Sequence, residues 1–199
     1  MNTTYILSAV SGYLIGSISF ALFLAKLRGI NLREVGSGNL GATNAGRALG
    51  KKLGVVVYWL DMLKGAVPVL AAKLVFVNDI HVAVLVGAGA YLGHILPLYF
   101  KFSGGKGVAT LSGVLLILAP LPTLIAGVAF ASSVFLSGMM SLGSLALGVA
   151  LPLSMFNYPG VEDPIKYFSL FAGLFLYITH RSNIMRLLRG EELSLRKKK

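Results

Sequence analysis

Apolar runs close to 20 residues long recur from one end of this sequence to the other, and nothing else in it restricts the fold as strongly. About 20 apolar residues in a helix cross a hydrocarbon core of about 30 Å. Inside such a core the backbone must satisfy its own polar groups, which the helix does within one segment. Only 13% of the 199 residues are charged, against about 25% in a soluble domain. The chain therefore reads as an all-α, polytopic integral membrane protein. No basic region precedes the first apolar stretch and no small-residue cleavage site follows it, so that stretch is expected to be a retained helix rather than a signal peptide.

The runs divide into seven expected membrane helices, at 4–26, 54–77, 80–100, 107–119, 122–137, 142–157 and 164–181, within a single domain over 1–199. Residues 27–53 read as a glycine-rich loop. Pro120 and Pro122 mark one break, since proline interrupts a helix and restrains the residue before it. A Ser, Gly and Met-rich stretch at 137–144 marks another. Residues 157–163 form a turn, and a basic amphipathic tail follows the last helix.

The net charge of +11 tests this count. A seven-helix topology puts Lys26, Arg28, Arg33, Arg47, Lys51, Lys52, Lys101 and Lys106 on one face. Arg181, Arg186, Arg189, Arg196, Lys197, Lys198 and Lys199 of the tail fall there too. The opposite face holds Asp79, Glu162 and Asp163. Under the positive-inside rule the basic face is cytoplasmic and the N-terminus lies outside. Basic residues gathered at segment ends argue against a nucleic-acid partner. The absence of cysteine excludes disulfides and thiolate chemistry.

Two stretches on the basic face carry the chemistry. Residues 36–47, GSGNLGATNAGR, combine glycines at 36, 38, 41 and 46 with Ser37, Asn39, Thr43 and Asn44. Glycine permits positive φ and close approach to a ligand. Arg47 adds a permanently charged fork suited to carboxylate or phosphate. Residues 103–110, SGGKGVAT, place Gly104, Gly105 and Gly107 around Lys106 just before a helix. Backbone N–H groups at a helix N-terminus bind phosphate. The rival reading is close helix packing with a snorkelling lysine. Two such segments on one face favour a phosphate-bearing substrate.

Other polar residues are weighed against structural roles. Asp61 and Lys64 share a helix face at i, i+3. A structural ion pair is the preferred reading, although Lys64 could reach a phosphate from near the cytoplasmic end. His94 reads as a buried structural hydrogen-bonder. His180 and Asn183 lie one turn apart near Arg181 and Arg186. Ser141 and Ser144 share a face, with helix packing as the default reading. No cluster at ligand spacing supports a metal site.

The ordered blocks GSGNLGATNAGRALGKKLG, DMLKGAVP, GHILPLYFKFSGGKGVAT, SLGS and HRSNIMRLLRGEE resemble the bacterial acyl-phosphate:glycerol-3-phosphate acyltransferase family (PlsY). The resemblance runs from residue 36 to the tail. It implies a seven-helix enzyme of the bacterial inner membrane with cytoplasmic active-site loops. The implied reaction moves a fatty acyl group from acyl phosphate to the 1-hydroxyl of glycerol 3-phosphate, giving lysophosphatidic acid and phosphate, the first acylation step of phospholipid synthesis. Carried onto this chain, it implies catalytic roles for Ser37, Arg47, Lys106, His180 and Asn183. Substrate binding is implied for Gly38, Asn39, Gly41, Thr43, Asn44, Lys64, Gly104, Gly105, Gly107, Ser141 and Ser144. The expected partners are the two substrates and membrane lipid, with no cofactor. Leu40 stands where many relatives carry proline, and Met139 and Met140 precede SLGS where polar or aromatic residues are commoner.

This chemistry fits the residues. Acyl phosphate is already activated, so no covalent acyl-enzyme is required. The site must hold two phosphates and stabilise an oxyanion. The proton of the hydroxyl goes either to His180, with an ordinary pKa of about 6.5, or to the departing phosphate, the slightly favoured choice. A transporter of a phosphorylated small molecule is the competing class. It would need a matching polar loop pair on the other face, which the sequence lacks. A structural protein with a basic lipid-binding face would not need His180 and Asn183.

Overall fold

The structure, a computed structural model, describes residues 3–196, and the regular elements among them are all helical. Five helical segments are long and apolar enough to span a membrane: Thr3–Leu27, Lys51–Val75, Ile80–Phe100, Pro120–Ser137 and Met140–Asn157. Val108–Leu118 is apolar but shorter, and Asp163–Thr179 has 17 residues. The chain forms two compact units, residues 1–118 and 119–199. Lys197, Lys198 and Lys199 of the basic tail lie outside the described residues.

In the first unit, α1 (Thr3–Gly16) and α2 (Phe20–Leu27) replace the continuous helix expected over 4–26. Residues 17–19 break it. The Ser17 amide and hydroxyl both donate to the Tyr13 carbonyl, at 2.9 and 2.8 Å. Ser19 then caps α2 by accepting from the Leu22 amide. The break frees the Ile18 carbonyl, and Lys64 Nζ donates to it at 2.6 Å. Next come α3 (Ala42–Leu49), α4 (Lys51–Val75), α5 (Ile80–Ile95), a 3-10 turn (Leu98–Phe100) and α6 (Val108–Leu118). The expected loop over 27–53 thus contains a helix of its own. Its first turn follows Gly41, and its buried Ala45 packs with Ala21, Ala25, Leu32, Leu40 and Val57.

Small residues set the helix contacts. A side chain on Gly12 would meet the Val86 backbone, and one on Gly16 the Ala90 backbone. From the other side Gly89 faces the Ala9 carbonyl and Gly93 the Tyr13 carbonyl. Both helices therefore carry glycines four apart at a close parallel crossing, the small-xxx-small pattern by which membrane helices gain packing without a hydrophobic driving force. Gly65 and Gly113 play the same part between α4 and α6, against Thr110 and Met62.

The second unit contains α7 (Pro120–Ser137), α8 (Met140–Asn157), α9 (Asp163–Thr179) and α10 (Arg181–Leu188). Gly138, at φ +72°, ends α7 in the left-handed conformation. Gly148 and Gly173 let α8 and α9 approach, and the Tyr177 hydroxyl donates to the Leu145 carbonyl at 2.9 Å. The end of the described chain returns to the α7–α8 turn: the Leu195 amide donates to the Gly138 carbonyl at 2.7 Å, and Arg196 to the Phe135 carbonyl. The tail is therefore pinned rather than simply solvated.

A contrast between two glycines tests the packing. Gly12→Val would force a branched side chain into the Val86 backbone and should destabilise the fold by about 1–3 kcal/mol. Gly127→Ala, where an added methyl meets nothing within 4 Å, should stabilise by about 0.5–1 kcal/mol through helix propensity. Thermal unfolding in detergent checks both. Equal midpoints for the two variants would refute the close crossing.

Candidate active site

The first glycine stretch is shaped by Asn44. Gly36 and Gly38 adopt φ of +59° and +68°, the left-handed region that side chains disfavour. This turns the chain so that the Ser37 amide donates to Asn44 Oδ1 at 2.9 Å, while Asn44 Nδ2 donates to the Leu32 carbonyl at 3.1 Å. Asn44 is 1% exposed. Each end of the Asn44 carboxamide is thus bonded to the loop backbone, which gives this expected phosphate ligand a part in shaping the loop. Asn39 Oδ1 likewise accepts from the Gly41 amide at 3.0 Å. Leu40 is buried in the apolar cluster behind the loop, which gives this departure from the family pattern a packing role.

The same turn begins α3 at Gly41 without a side-chain cap. Thr43 sits in its first turn, and Arg47 follows one turn later at i+4, on the same helix face. Arg47 is exposed, and Ser37 and Thr43 are half-buried. The loop therefore presents a hydroxyl pair, an uncapped helix start and a guanidinium, the makings of an anion site.

The second stretch is brought to the first by a residue the sequence reading passes over. Arg33 Nη1 donates to the Ser103 hydroxyl at 2.8 Å, and Nη2 to the Ser103 carbonyl at 3.4 Å. Beyond Ser103 the chain folds back on the end of α5. The Gly104 amide donates to the Ile95 carbonyl and the Gly105 amide to the His94 carbonyl, both at 3.1 Å. The expectation that these two amides hold phosphate is therefore corrected. They satisfy helix-end carbonyls that would otherwise lack partners. Gly105 lies against the His94 imidazole and Gly107, at φ +85°, against the Tyr91 ring, so neither position has room for a side chain. Lys106 stands between them, half-buried.

Beneath this loop lies a buried polar network. Asp61 Oδ1 pairs with Lys64 Nζ at 2.9 Å and stands 3.8 Å from His94 Nδ1. The Thr110 hydroxyl donates to the Asp61 carbonyl at 2.9 Å and lies 3.1 Å from His94 Nδ1. Lys64, with its ammonium on Asp61 and on the Ile18 carbonyl, has the structural ion-pair role preferred from the sequence. His94 has the structural place expected of it.

Ser141, Ser144, His180 and Asn183 belong to the second unit. Ser144 Oγ donates to the Met140 carbonyl at 2.9 Å, the packing default for a serine within a membrane helix. Ser141 differs. Its hydroxyl is buried with no hydrogen-bond partner among the described residues, in the first turn of α8, whose start has no side-chain cap. A buried hydroxyl left so carries a desolvation cost that a ligand could relieve.

His180 joins α9 to α10 and is 3% exposed. Its Nδ1 lies 2.8 Å from the Leu176 carbonyl. A carbonyl only accepts, so the proton sits on Nδ1 and the lone pair on Nε2. Asn183 Nδ2 donates to Glu192 Oε1 at 2.6 Å, and Arg186 Nε to Glu192 Oε2 at 2.8 Å. Glu192, with a side chain 4% exposed, is thus the clasp of this segment. The GEE ending of the last sequence block was its only signal.

A family model described as glycerol-3-phosphate acyltransferase matches residues 6–190. A glycerol-3-phosphate acyltransferase from Myxococcus xanthus is 48% identical over 185 residues, covering 91% of this chain and 94% of its own. The crystal structure of PlsY (YgiH), an integral membrane glycerol 3-phosphate acyltransferase in its glycerol 3-phosphate form, superposes with a TM-score of 0.91 at 39% identity, covering 96% of each chain. Its lysophosphatidic acid form gives 0.88 at 38% identity, covering 96% of this chain and 94% of that one.

Two substitutions test the clasps. Asn44→Ala removes a bond at each end and should cost about 1–3 kcal/mol, read as faster hydrogen exchange of the Ser37 amide; unchanged exchange would refute the clasp. Glu192→Ala strips a charge-assisted partner from Arg186 and a bond from Asn183. It should lower the thermal midpoint by the equivalent of about 1.5–3 kcal/mol, and an unshifted midpoint would show the contact to be idle.

Proposed function

The chain belongs to the glycerol-3-phosphate acyltransferase family, and on that premise we propose that it moves a fatty acyl group from an acyl phosphate to the 1-hydroxyl of glycerol 3-phosphate. The products are lysophosphatidic acid and inorganic phosphate, so the reaction is an acylation step of phospholipid synthesis. The observation that carries the reading is the Arg33–Ser103 contact, which holds two basic, glycine-turned loops together although 70 residues separate them in sequence.

In this reading residues 1–199 act as one acyltransferase domain. The two glycine stretches and the tail segment with His180 each act at the cytoplasmic side of the bacterial inner membrane. Seven crossings leave the N-terminus outside and the C-terminus inside. Ser37, Thr43, Arg47 and Lys106 hold phosphate oxygens, while the Gly38 amide, which donates to the Val35 carbonyl at 3.0 Å, shapes the turn; Ser141 donates to an oxygen from the start of α8. Cationic side chains fixed before the reaction stabilise the oxyanion without reorganising, and holding both substrates makes the step effectively intramolecular.

The hydroxyl oxygen forms a bond to the acyl carbon as the bond from that carbon to the phosphate oxygen breaks. The proton passes to the departing phosphate, whose second pKa is near 6 by analogy with phosphoryl side chains. Before transfer the hydroxyl donates to the lone pair on His180 Nε2, which aims its oxygen at the acyl carbon, the Nδ1–Leu176 contact having fixed that tautomer; as the phosphate departs, that one proton shifts from the histidine side to the phosphate. Asn183, held by Glu192, keeps the helix after His180 in register. The lipid tail lies among apolar helices.

Purified protein should release phosphate only when both acyl phosphate and glycerol 3-phosphate are present. Release without glycerol 3-phosphate, or uptake of glycerol 3-phosphate into vesicles without turnover, would overturn the assignment. Lys106→Ala should lower kcat by about 10²–10³-fold with the fold intact. His180→Gln, which can still accept from the hydroxyl, should keep the pH limb near 6 set by the phosphate. Loss of that limb would make His180 the base.

A further inference from the structure

Beside the Arg33–Ser103 contact, the first unit has a second concavity that the proposed reaction leaves unused. It is an open depression of about 670 Å³, inside the range of roughly 300–1,000 Å³ typical of ligand pockets. Lys26, Arg33 and Lys101 line it together with Leu22, Tyr99 and Phe100. Among the described residues that line it, none is acidic. Glu34, next to Arg33, is not among the lining residues, and its carboxylate accepts from Nδ2 of the lining Asn31 at 2.6 Å.

Its position follows from two spanning segments. Thr3–Leu27 and Ile80–Phe100 run parallel through the glycine crossing of α1 and α5, so Lys26 and Phe100 mark the same end of both. The concavity therefore sits where hydrocarbon gives way to water, the level at which aromatic rings and lysines collect. Lys101 and Phe102, neither of them glycine, take left-handed φ of 55° and 54° there. The left-handed region crowds the Cβ of any residue but glycine. Strain of this kind marks a local shape imposed by its surroundings and points to function.

Three cations without a carboxylate, over an apolar and aromatic floor at the membrane boundary, match one chemistry: a phosphate carried on an apolar tail. We propose that this pocket binds the headgroup of an anionic membrane phospholipid. The phosphate meets Lys26, Lys101 and the outer edge of Arg33, and the first carbons of the chains lie along Leu22 and Phe100. Arg33 also holds Ser103, so the bound lipid braces the second glycine stretch. The inference does not depend on the reaction proposed above, because lipid binding is read without turnover.

The test uses the full-length protein in nanodiscs of equal phosphatidylglycerol and phosphatidylcholine. Lipids retained after mild detergent extraction are counted by native mass spectrometry. Wild type should retain phosphatidylglycerol preferentially. The double variant Lys26→Gln/Lys101→Gln should lose that preference by about tenfold, and Lys26→Glu/Lys101→Glu should favour phosphatidylcholine, both with unchanged thermal midpoints. A wild type without lipid preference, or variants that keep it, would overturn the proposal. Full displacement of the lipid by millimolar inorganic phosphate would overturn it as well, by making this a free-phosphate site.

Discussion

A backbone carbonyl released inside the hydrocarbon region must find a donor, because no water is there to supply one. In the first unit that carbonyl is Ile18, freed where the first span breaks, and the donor is Lys64. An ammonium brought to such a place needs a counter-charge, which Asp61 supplies one helical turn away. The Asp61 backbone in turn accepts from Thr110, Thr110 meets His94, and Gly105 rests on the His94 ring. One helix break is thereby linked through α4, α6 and α5 to the loop that carries Lys106.

That chain of contacts explains why an ion pair is kept where apolar residues would cost less. Buried pairs seldom add net stability, since desolvating both charges offsets their attraction. Removing one partner is a different matter, because the other is then left charged and unmatched. Here Lys64 has a second acceptor in the Ile18 carbonyl. The pair therefore fixes the position of a break rather than simply adding attraction. It also fixes α4 against α6 through Thr110, at a crossing already close-fitted by Gly65.

Much of this was legible in the sequence. The apolar runs gave the helical class, and the breaks at Pro120 and Gly138 fell close to the ends that the structure shows for α7. The break at 17–19 was not legible, because SIS carries no proline or glycine. Its stability comes from Lys64 and from the Leu98 amide, which donates to Ser17 Oγ, 81 residues away. Ser141 and Ser144 read identically as a pair one turn apart. Only the structure separates the serine that bonds its own helix from the one whose buried hydroxyl lacks a partner. Arg33 reads from the sequence as one loop charge among several, since no local pattern announces a contact to Ser103.

The glycines carry the larger lesson about the site. A glycine-rich stretch before a helix suggests backbone amides turned toward an anion, yet the amides of Gly104 and Gly105 face the end of α5. The Ser37 amide is likewise taken by Asn44. In both loops the glycines buy proximity to neighbouring backbone and rings, and the amides of Ser37, Gly38, Gly41, Gly104 and Gly105 are engaged in holding that shape. In the proposed reaction, what the loops would offer a phosphate is mainly side chains: Ser37, Thr43, Arg47 and Lys106. Side-chain cations act as strong point charges or planar forks, so recognition rests on charge and reach more than on an amide nest. The rigid, amide-stitched backbone beneath them restricts the motion that long cationic side chains would otherwise have.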